Sequence, residues 1–428
     1  MNRKILVVVG LSANLLFLLV WVVGGGRALS SQTAILPTTV TSPVTISNSA
    51  SDATRPTIAL GGDGTLYVAW EQVEAGGQTN PYYSTSANGG NNWAAPTAIY
   101  NSGVDSLRPI MATNTTFGVQ VVWDEGGVFS HLAYQKMLTA TAVITAPPTI
   151  ILAPSAHDIA VDNNSNLHLV VQGNTSPSQS TPYHVLYSWK PSSASVWPQA
   201  MRVYTNTSSG TGSQYPAIAI GSQGAKHVVW QQNKSTTDGV IYYSKGTGGG
   251  AISWTAPVTV SVGVGTTNAV RPAIAVDDND AIHVTWVDHV TSDEQYVYYA
   301  HSVNGGTTWS TPVRVASQAV GANVSPLYVS PVIAVANGNL YIAWHDNLND
   351  PTNAEDVYLT FSEDQGNTWA TPINISRSGG AQSLYPRIVP EAGGIVHVVW
   401  QEQVSGVFEI QYAHTVWLVY LPVISKSP

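Results

Sequence analysis

Two recurring sets of side chains could bind an acidic ligand or transform it. The first set begins repeated strings: Arg55, Arg108 and Arg271 each stand directly before a proline, and Tyr215 and Tyr385 hold the same place in two further strings. A guanidinium group binds a carboxylate through two parallel hydrogen bonds. The three arginines and Tyr215 are therefore candidate ligand-binding residues, and Tyr385 is a candidate catalytic residue.

The second set is acidic and follows a tryptophan by one or two residues. A carboxyl group held near an arginine-bound ligand can act as a general acid. His345 is a further candidate ligand-binding residue, because it stands beside one of these acids. The candidate catalytic acids are Glu71, Asp124, Asp288, Asp346 and Glu402.

The same arginines also have a purely structural interpretation. An arginine at the start of a repeat can pair with a carboxylate of its own or the next repeat, and recurrence at equivalent positions suits architecture as well as chemistry. In an enzyme, Arg55, Arg108 and Arg271 should converge on one solvent-filled point. In a structural ring, each should face its own carboxylate.

The strings belong to a repeat that fills most of the chain. Similar copies begin near residues 55, 108, 157, 215, 271, 330 and 385, and each reads as four short strands separated by Gly, Asp and Asn turns. Such a period with several strands per copy is typical of a β-propeller, in which each copy forms one blade. We therefore predict an all-β fold: a seven-bladed β-propeller of four-stranded antiparallel blades over residues 31–415.

Closure of that ring is predicted from its two ends. The last copy lacks its fourth strand, whereas "SPVTISN" from Ser42 matches the fourth strands "TPVRVAS" and "TPINISR" of other copies. An N-terminal strand would then complete the last blade and leave no open sheet edge. Antiparallel strands would bring the arginines and the acidic residues to one pore mouth, with Glu391 on the opposite face.

A second motif occupies loops between third and fourth strands. "SEDQGNTW" from Ser362 nearly repeats as "SANGGNNW" from Ser86 and "SVNGGTTW" from Ser302. Asp or Asn caps such a turn, Gly permits a positive φ, and Trp folds back to bury its ring. This spacing resembles the Asp box, or BNR repeat, of sialidase-like propellers. The residues that carry it are Ser86, Asn88, Gly90, Trp93, Ser302, Asn304, Gly306, Trp309, Ser362, Asp364, Gly366 and Trp369.

The resemblance has implications for function. In sialidases the Asp boxes are structural and lie away from the catalytic face. Three arginines hold the substrate carboxylate, a tyrosine paired with a glutamate is the nucleophile, and an aspartate is the acid. The first of those arginines lies in an Arg-Ile-Pro motif, and "RPTIAL" at Arg55 is the nearest string here. Sialidases have six blades rather than seven, and no Tyr–Glu pair follows from the spacing here.

Two functions are therefore compared, and whether the protein is an enzyme stays open. The first is a binding propeller that contacts a glycan or a surface protein at the pore mouth. The alternative is a glycoside hydrolase of the exo-sialidase type, which would use the arginine clamp and one acidic residue. A purely structural surface module would bind no ligand there.

Other recurring residues are assigned to packing. His168, His227, His283 and His397 share one position in the second strand, but each belongs to a separate blade, so a shared metal ion is not expected. No metal or other cofactor is predicted, with calcium at the "DDND" turn from Asp277 as the alternative. The tryptophans expected in the core between blades are Trp70, Trp123, Trp230, Trp286, Trp344 and Trp400.

The composition and the two ends of the chain limit the remaining classes of function and location. Only 10% of the 428 residues are charged, the net charge is −9 and there is no cysteine, which argues against nucleic-acid binding, disulfides and thiolate chemistry. Residues 1–30 read as a signal peptide with a cleavage site at Ala28–Ser30, or alternatively as an uncleaved membrane anchor. We predict a secreted or cell-surface monomer that contacts a membrane only through this segment. Residues 416–428 form an apolar tail outside the repeat.

Overall fold

The computed structural model describes strands, turns and short connections. No helix in the described part of the chain is long and apolar enough to span a bilayer. The predicted cleavage site and the end of the apolar tail lie outside the described residues. Those residues are 7–12, 15–20, 36–47, 50–101, 103–113, 118–125, 132–138, 143–145, 157–173, 183–194, 197–206, 212–234, 238–249, 252–262, 268–289, 295–316, 329–347 and 354–418.

The N-terminal region contributes four strands. β1 (Val7–Ser12) and β2 (Leu15–Val20) pair with each other as an antiparallel hairpin. β3 (Leu36–Val40) and β4 (Val44–Thr45) instead pair with a strand near the other end of the chain.

The repeat region folds into antiparallel sheets of consecutive strands. Each strand pairs with its neighbour in sequence, because short Gly, Asp and Asn turns join them. One sheet contains β5 (Ala53–Leu60), β6 (Leu66–Val73), β7 (Thr79–Ser86) and β8 (Thr97–Ala98), and the next contains β9 (Ser106–Ala112), β10 (Val119–Glu125), β11 (Leu132–Leu138) and β12 (Val143–Thr145). These are followed by the sheet of β13 (His157–Val161), β14 (Leu167–Gly173), β15 (His184–Lys190) and β16 (Met201–Tyr204). The next sheet contains β17 (Ser213–Ile220), β18 (Lys226–Asn233), β19 (Gly239–Thr247) and β20 (Ser253–Trp254), and β21 (Val258–Thr259) also pairs with β19.

The pattern continues to the end of the described chain. The remaining sheets are β22 (Asn268–Val276), β23 (Ile282–His289), β24 (Gln295–Ser302) and β25 (Val313–Arg314); β26 (Val332–Ala336), β27 (Asn339–Asp346), β28 (Asp356–Ser362) and β29 (Ile373–Asn374); and β30 (Ser383–Pro390), β31 (Val396–Val404) and β32 (Val407–Leu418). β32 pairs with β3 along its last residues, and Gln411 and Tyr412 pair with β4.

The first strands of these sheets form the inner wall of a ring. They contact one another in the cyclic order β5, β9, β13, β17, β22, β26, β30 and back to β5. Each sheet is therefore a blade that radiates from a central pore, with its first strand innermost. The prediction of an all-β propeller with four-stranded antiparallel blades is confirmed.

The core lies between neighbouring blades. The tryptophans that end the second strands are at most 1% exposed, as predicted, and pack in clusters that combine side chains of adjacent blades. Each indole needs a hydrogen-bond acceptor when it is buried. In five of the six, all except Trp230, the residue two positions further on supplies it, as where Trp286 donates to Asp288 over 3.1 Å and Trp400 donates to Glu402 over 2.9 Å.

The Asp-box turns have the internal hydrogen bonds that their sequence predicts. Ser362 Oγ accepts the Gly366 N–H over 2.8 Å, and Asp364 Oδ1 accepts the Thr368 N–H over 2.8 Å. The boxes at Ser86 and Ser302 repeat both bonds with Asn in place of Asp. The side-chain acceptors hold the loop in one shape, and glycine supplies the positive φ.

Each of these boxes also joins its blade to the preceding one. The Tyr299 hydroxyl donates to the Gln365 carbonyl over 3.1 Å, and its ring meets Trp369 edge to face with centroids 5.1 Å apart. Gly366 sits directly against the Tyr299 ring, where no side chain fits. Tyr243 and Tyr412 make the same contacts with the boxes at Ser302 and Ser86.

The repeated histidines extend this contact inward. His227 Nδ1 lies 2.7 Å from the Tyr243 hydroxyl, which itself donates to the Gly305 carbonyl. A hydroxyl has one proton, so His227 must carry its own proton on Nδ1. Burial lowers the pKa of His227 to about 4, and it has the same effect at His168 and His283. These three histidines therefore pack as neutral partners of the tyrosines of their own blades.

The fit between box and tyrosine predicts a difference between two glycines that both have positive φ. Gly366→Ala would place its Cβ 2.2 Å from the Tyr299 ring, whereas Gly338→Ala has no atom within 4 Å. We expect Gly338→Ala to cost about 1 kcal/mol of unfolding free energy from backbone strain alone. Gly366→Ala should cost about 1–3 kcal/mol more. Urea unfolding followed by tryptophan fluorescence measures both, and equal losses would contradict the contact.

Burial of neutral histidine predicts lower stability in acid. The pKa of His227 is about 4 in the fold against 6.5 for the ordinary side chain, so its contribution is complete above 6.5 and is lost as pH falls toward 4. Between about pH 7 and about pH 5, the parent should lose about 2 kcal/mol more unfolding free energy than His227→Gln. The same loss in both proteins would show that His227 titrates normally.

Candidate functional site

The inner strands bend at the residues that precede proline. The register of the first and second strands shifts there, and each of these residues has a positive φ, which is uncommon outside glycine. Such a bulge turns the side chain toward the pore mouth. The φ angles are 50° at Arg55, 54° at Arg108, 49° at Tyr215, 52° at Arg271 and 53° at Tyr385.

A hydrogen bond from the preceding blade stabilises each bulge. The backbone N–H donates to the side chain that follows the buried tryptophan of that blade, or to its equivalent. The bonds are Arg55 to Gln401 at 2.9 Å, Arg108 to Glu71 at 2.5 Å, Tyr215 to Gln172 at 3.3 Å, Arg271 to Gln231 at 3.3 Å and Tyr385 to His345 at 3.4 Å.

The bulge residues surround one cavity of about 500 Å³ at the pore mouth. Arg55, Arg108 and Arg271 all line it, so the structure brings the three candidate arginines together. The candidate tyrosines Tyr215 and Tyr385 line it as well. Prolines and aliphatic side chains of the inner strands form most of the rest of its wall.

Two of the arginines also face their own carboxylates. Arg55 Nη1 lies 3.1 Å from Glu71, and the Arg108 guanidinium contacts Asp124 at 2.6 Å and 2.5 Å. The two acidic side chains are only 5% exposed, whereas that of Arg55 is 51% exposed. Glu71 and Asp124 thus lie beneath the arginines and away from the cavity surface.

Arg271 has different surroundings. Its guanidinium stacks over the Tyr215 ring, 4.3 Å from the centroid, and Nη1 donates to Ser330 Oγ over 3.1 Å. Ser330 stands where five other blades carry Arg or Tyr, so this side of the mouth has a small residue. Arg271 therefore combines an aromatic contact with a position on the cavity wall.

The other candidate acids do not reach the cavity. Asp288 and Asp346 are fully buried, and each accepts an indole N–H, as does Glu402. His345 is fully buried under Tyr385, and its pKa is lowered to about 3 by burial, with Arg271 and Arg387 adding to the effect. These residues support the mouth from behind.

Two charged residues on the cavity wall were missed by sequence reasoning. Asp158 and Arg387 lie one layer below the bulges on β13 and β30. Burial raises the pKa of Asp158 and lowers that of Arg387. The available signal was their position: aligned copies have neutral residues there.

The described residues offer no set of side chains that could bind a metal ion. Asp277 of the "DDND" turn uses Oδ1 to accept the backbone N–H groups of Asn279 and Ala281. Across the described ranges, no group of three His, Asp or Glu side chains is placed to hold a metal ion.

The fold and site define a β-propeller with an arginine-rich pore mouth. No protein-family model matches the chain, and no curated protein matches it. A protein of unknown function from Dyadobacter fermentans has a similar structure, with a TM-score of 0.55, 14% identity and coverage of 89% of this chain and 99% of that chain. At this identity the likeness shows the fold alone.

Sialidase structures are matched less closely. The Trypanosoma rangeli sialidase gives a TM-score of 0.46 at 10% identity, over 85% of this chain and 55% of that chain. The intramolecular trans-sialidase of Ruminococcus gnavus gives 0.44 at 13% identity, over 84% of this chain and 94% of that chain. The predicted propeller fold is confirmed by the cyclic contacts of the blades and by the Asp-box turns.

The contacts of Glu71 predict different costs for two substitutions. Glu71→Gln keeps an acceptor for the Arg108 N–H and a polar partner for the Thr54 hydroxyl, and it loses only the ion pair with half-exposed Arg55, so unfolding free energy should fall by less than about 1 kcal/mol. Glu71→Ala leaves that N–H without its acceptor and should cost about 1–3 kcal/mol. Denaturant unfolding of both variants is the measurement, and a costly Glu71→Gln would instead make the ion pair the dominant contact.

Proposed function

We propose that this chain is an exported propeller that binds an acidic glycan or protein ligand at the pore mouth. The observation that carries the proposal is the charge of the cavity wall. Among the described lining residues are four arginines, Arg55, Arg108, Arg271 and Arg387, and one carboxylate, Asp158.

The distribution of these charges favours anion binding on one side of the mouth. Arg55 and Arg108 are each neutralised by a carboxylate beneath them. Arg271 and Arg387 are close enough for Arg271 to lower the pKa of Arg387, so two positive groups act on the same part of the cavity. An acidic group of a ligand would relieve this repulsion and accept several hydrogen bonds from guanidinium donors.

A glycoside hydrolase remains the second candidate because of two residues on the same cavity. Tyr385 lies at the mouth near the arginines, and Asp158 is a buried acid with a raised pKa, as a general acid needs. The five acids first considered as catalytic do not line the cavity, which favours binding over hydrolysis.

We further propose that the propeller has seven blades and that its N-terminal segment closes the ring. The cyclic contacts of the inner strands support this count. The pairing of Val44–Thr45 with β32 supports closure, since it gives the last blade an outer strand from the other end of the chain. The apolar leader supports export.

The binding proposal predicts a preference for acidic ligands that depends on Arg271. On an array of sialylated, uronic-acid and sulfated glycans with their neutral parents, the mature chain should bind selectively to the acidic glycans. Arg271→Gln should weaken the best of these at least about tenfold, which is about 1.4 kcal/mol. Arg202→Gln, which removes an exposed charge on β16, should have little effect.

Each result has a defined meaning. Equal retention of acidic and neutral glycans, or equal loss in both variants, would contradict an arginine site at the mouth. Turnover of a fluorogenic sialoside that disappears in Asp158→Asn would favour the hydrolase, whereas binding without turnover supports the binding propeller.

A further inference from the structure

One layer of the pore wall carries two opposite charges. The innermost strand of each blade contributes one residue to this layer. That residue pairs with the residue of the second strand that directly precedes the buried tryptophan or its equivalent. Asp158 and Arg387 occupy the layer in the β13–β16 and β30–β32 blades. The other blades carry neutral residues there: Thr57, Ile110, Ala217, Ala273 and Val332.

The fold does not require these two charges. Five blades form the same strand pairs with small or aliphatic residues at the equivalent position. A charged side chain on a largely apolar wall costs desolvation energy unless something compensates it. Asp158 does accept the Ile218 N–H of the next blade, but the neutral hydroxyl of Thr57 accepts the equivalent N–H of Met111. The charges of Asp158 and Arg387 therefore need an explanation beyond blade architecture.

The two groups face one cavity without touching each other. Both line it, and no ion pair within 4.0 Å joins them in the described part of the chain. They still interact at longer range, because each favours the charged form of the other in its pKa. The gap between them lies inside the pore, because their blades are separated by two intervening blades in one direction round the ring and by three in the other.

Each group is held in place and keeps hydrogen-bonding capacity. Asp158 Oδ2 accepts the Ile218 N–H over 2.9 Å and Oδ1 accepts the Ile159 N–H over 2.9 Å, which leaves further lone pairs on both oxygens. Arg387 Nη1 donates to the Pro386 carbonyl over 3.1 Å. A guanidinium has five N–H donors, so most of them remain for a ligand.

We propose that Asp158 and Arg387 form the inner part of the binding site and select a small zwitterionic group, with an ammonium at Asp158 and a carboxylate at Arg387. The inference rests on the proposed binding function and specifies the chemistry of the group that enters the pore. Arg271 adds positive charge on the carboxylate side. A cavity of about 500 Å³ accommodates a group of amino-acid size.

The test uses ω-amino acids as rulers for the gap. Glycine, β-alanine, γ-aminobutyrate and ε-aminocaproate carry the same two charges at increasing separation, and alkyl carboxylates and alkyl amines of matched length carry one each. In calorimetric titration of the whole chain, one length should bind at least about tenfold more tightly than both of its singly charged counterparts. Both charges are then recognised together.

Variants separate the two ends of the site. Asp158→Asn should remove the preference for the amino acid over the carboxylate of equal length and leave carboxylate binding intact. Arg387→Gln should weaken both of these ligands. Arg202→Gln, which removes an exposed charge on the outer strand β16, should bind all probes as the parent does.

The outcomes distinguish this inference from the function on which it rests. Carboxylates that bind as well as the amino acids, with no effect of Asp158→Asn, would overturn the zwitterion site and leave an anion-binding mouth. Absence of binding by every carboxylate and amino acid, together with no retention of acidic glycans, would overturn both proposals. The comparison of probes on the parent chain decides the question even if a variant fails to fold.

Discussion

A hydrogen bond between neighbouring blades links the ring to its pore mouth. A backbone with positive φ before proline is strained by about 1–2 kcal/mol for a residue with a side chain. At Arg108 that conformation is stabilised because its N–H donates to Glu71 of the preceding blade, and Gln231 does the same for Arg271. The same bend that joins two blades thus turns a cationic side chain toward the pore.

The outer edge of the ring uses a different contact for the same purpose. The Asp box packs its glycine and tryptophan against a tyrosine of the preceding blade, and that tyrosine is held by a buried histidine. Two blade pairs have both contacts and are fixed at two radii. Arg55 bonds to Gln401 where the Ser86 box meets Tyr412, and Arg271 bonds to Gln231 where the Ser302 box meets Tyr243. Blades held at both ends keep the pore-mouth side chains in register, as a preformed binding site requires.

Most of the architecture could be predicted from the sequence, because the same pattern of strands and turns recurs in many copies of the repeat. Strand order, the buried tryptophans and the Asp-box turns all follow from local patterns that need no knowledge of distant contacts. The site was harder to predict, since the candidate acids were grouped although they stand at two different spacings. Glu71 directly follows its tryptophan and contacts Arg55 and Arg108, whereas Asp288 stands two residues after its tryptophan and accepts the indole N–H. Whether a carboxylate faces a cavity or a tryptophan depends on the alternation of side chains along a strand, and a one-residue error reverses it.

Asp158 and Arg387 escaped notice for a related reason. Repeats draw attention to residues that recur, and these recurring residues mostly serve the architecture that all blades share. A charge that departs from the repeat at a pore-lining position is not explained by the shared architecture, because the neutral hydroxyl of Thr57 makes the hydrogen bond to the next blade that Asp158 makes. In a ring of similar blades, departures on the inner wall are therefore the stronger indication of a ligand, because only the ligand needs the blades to differ.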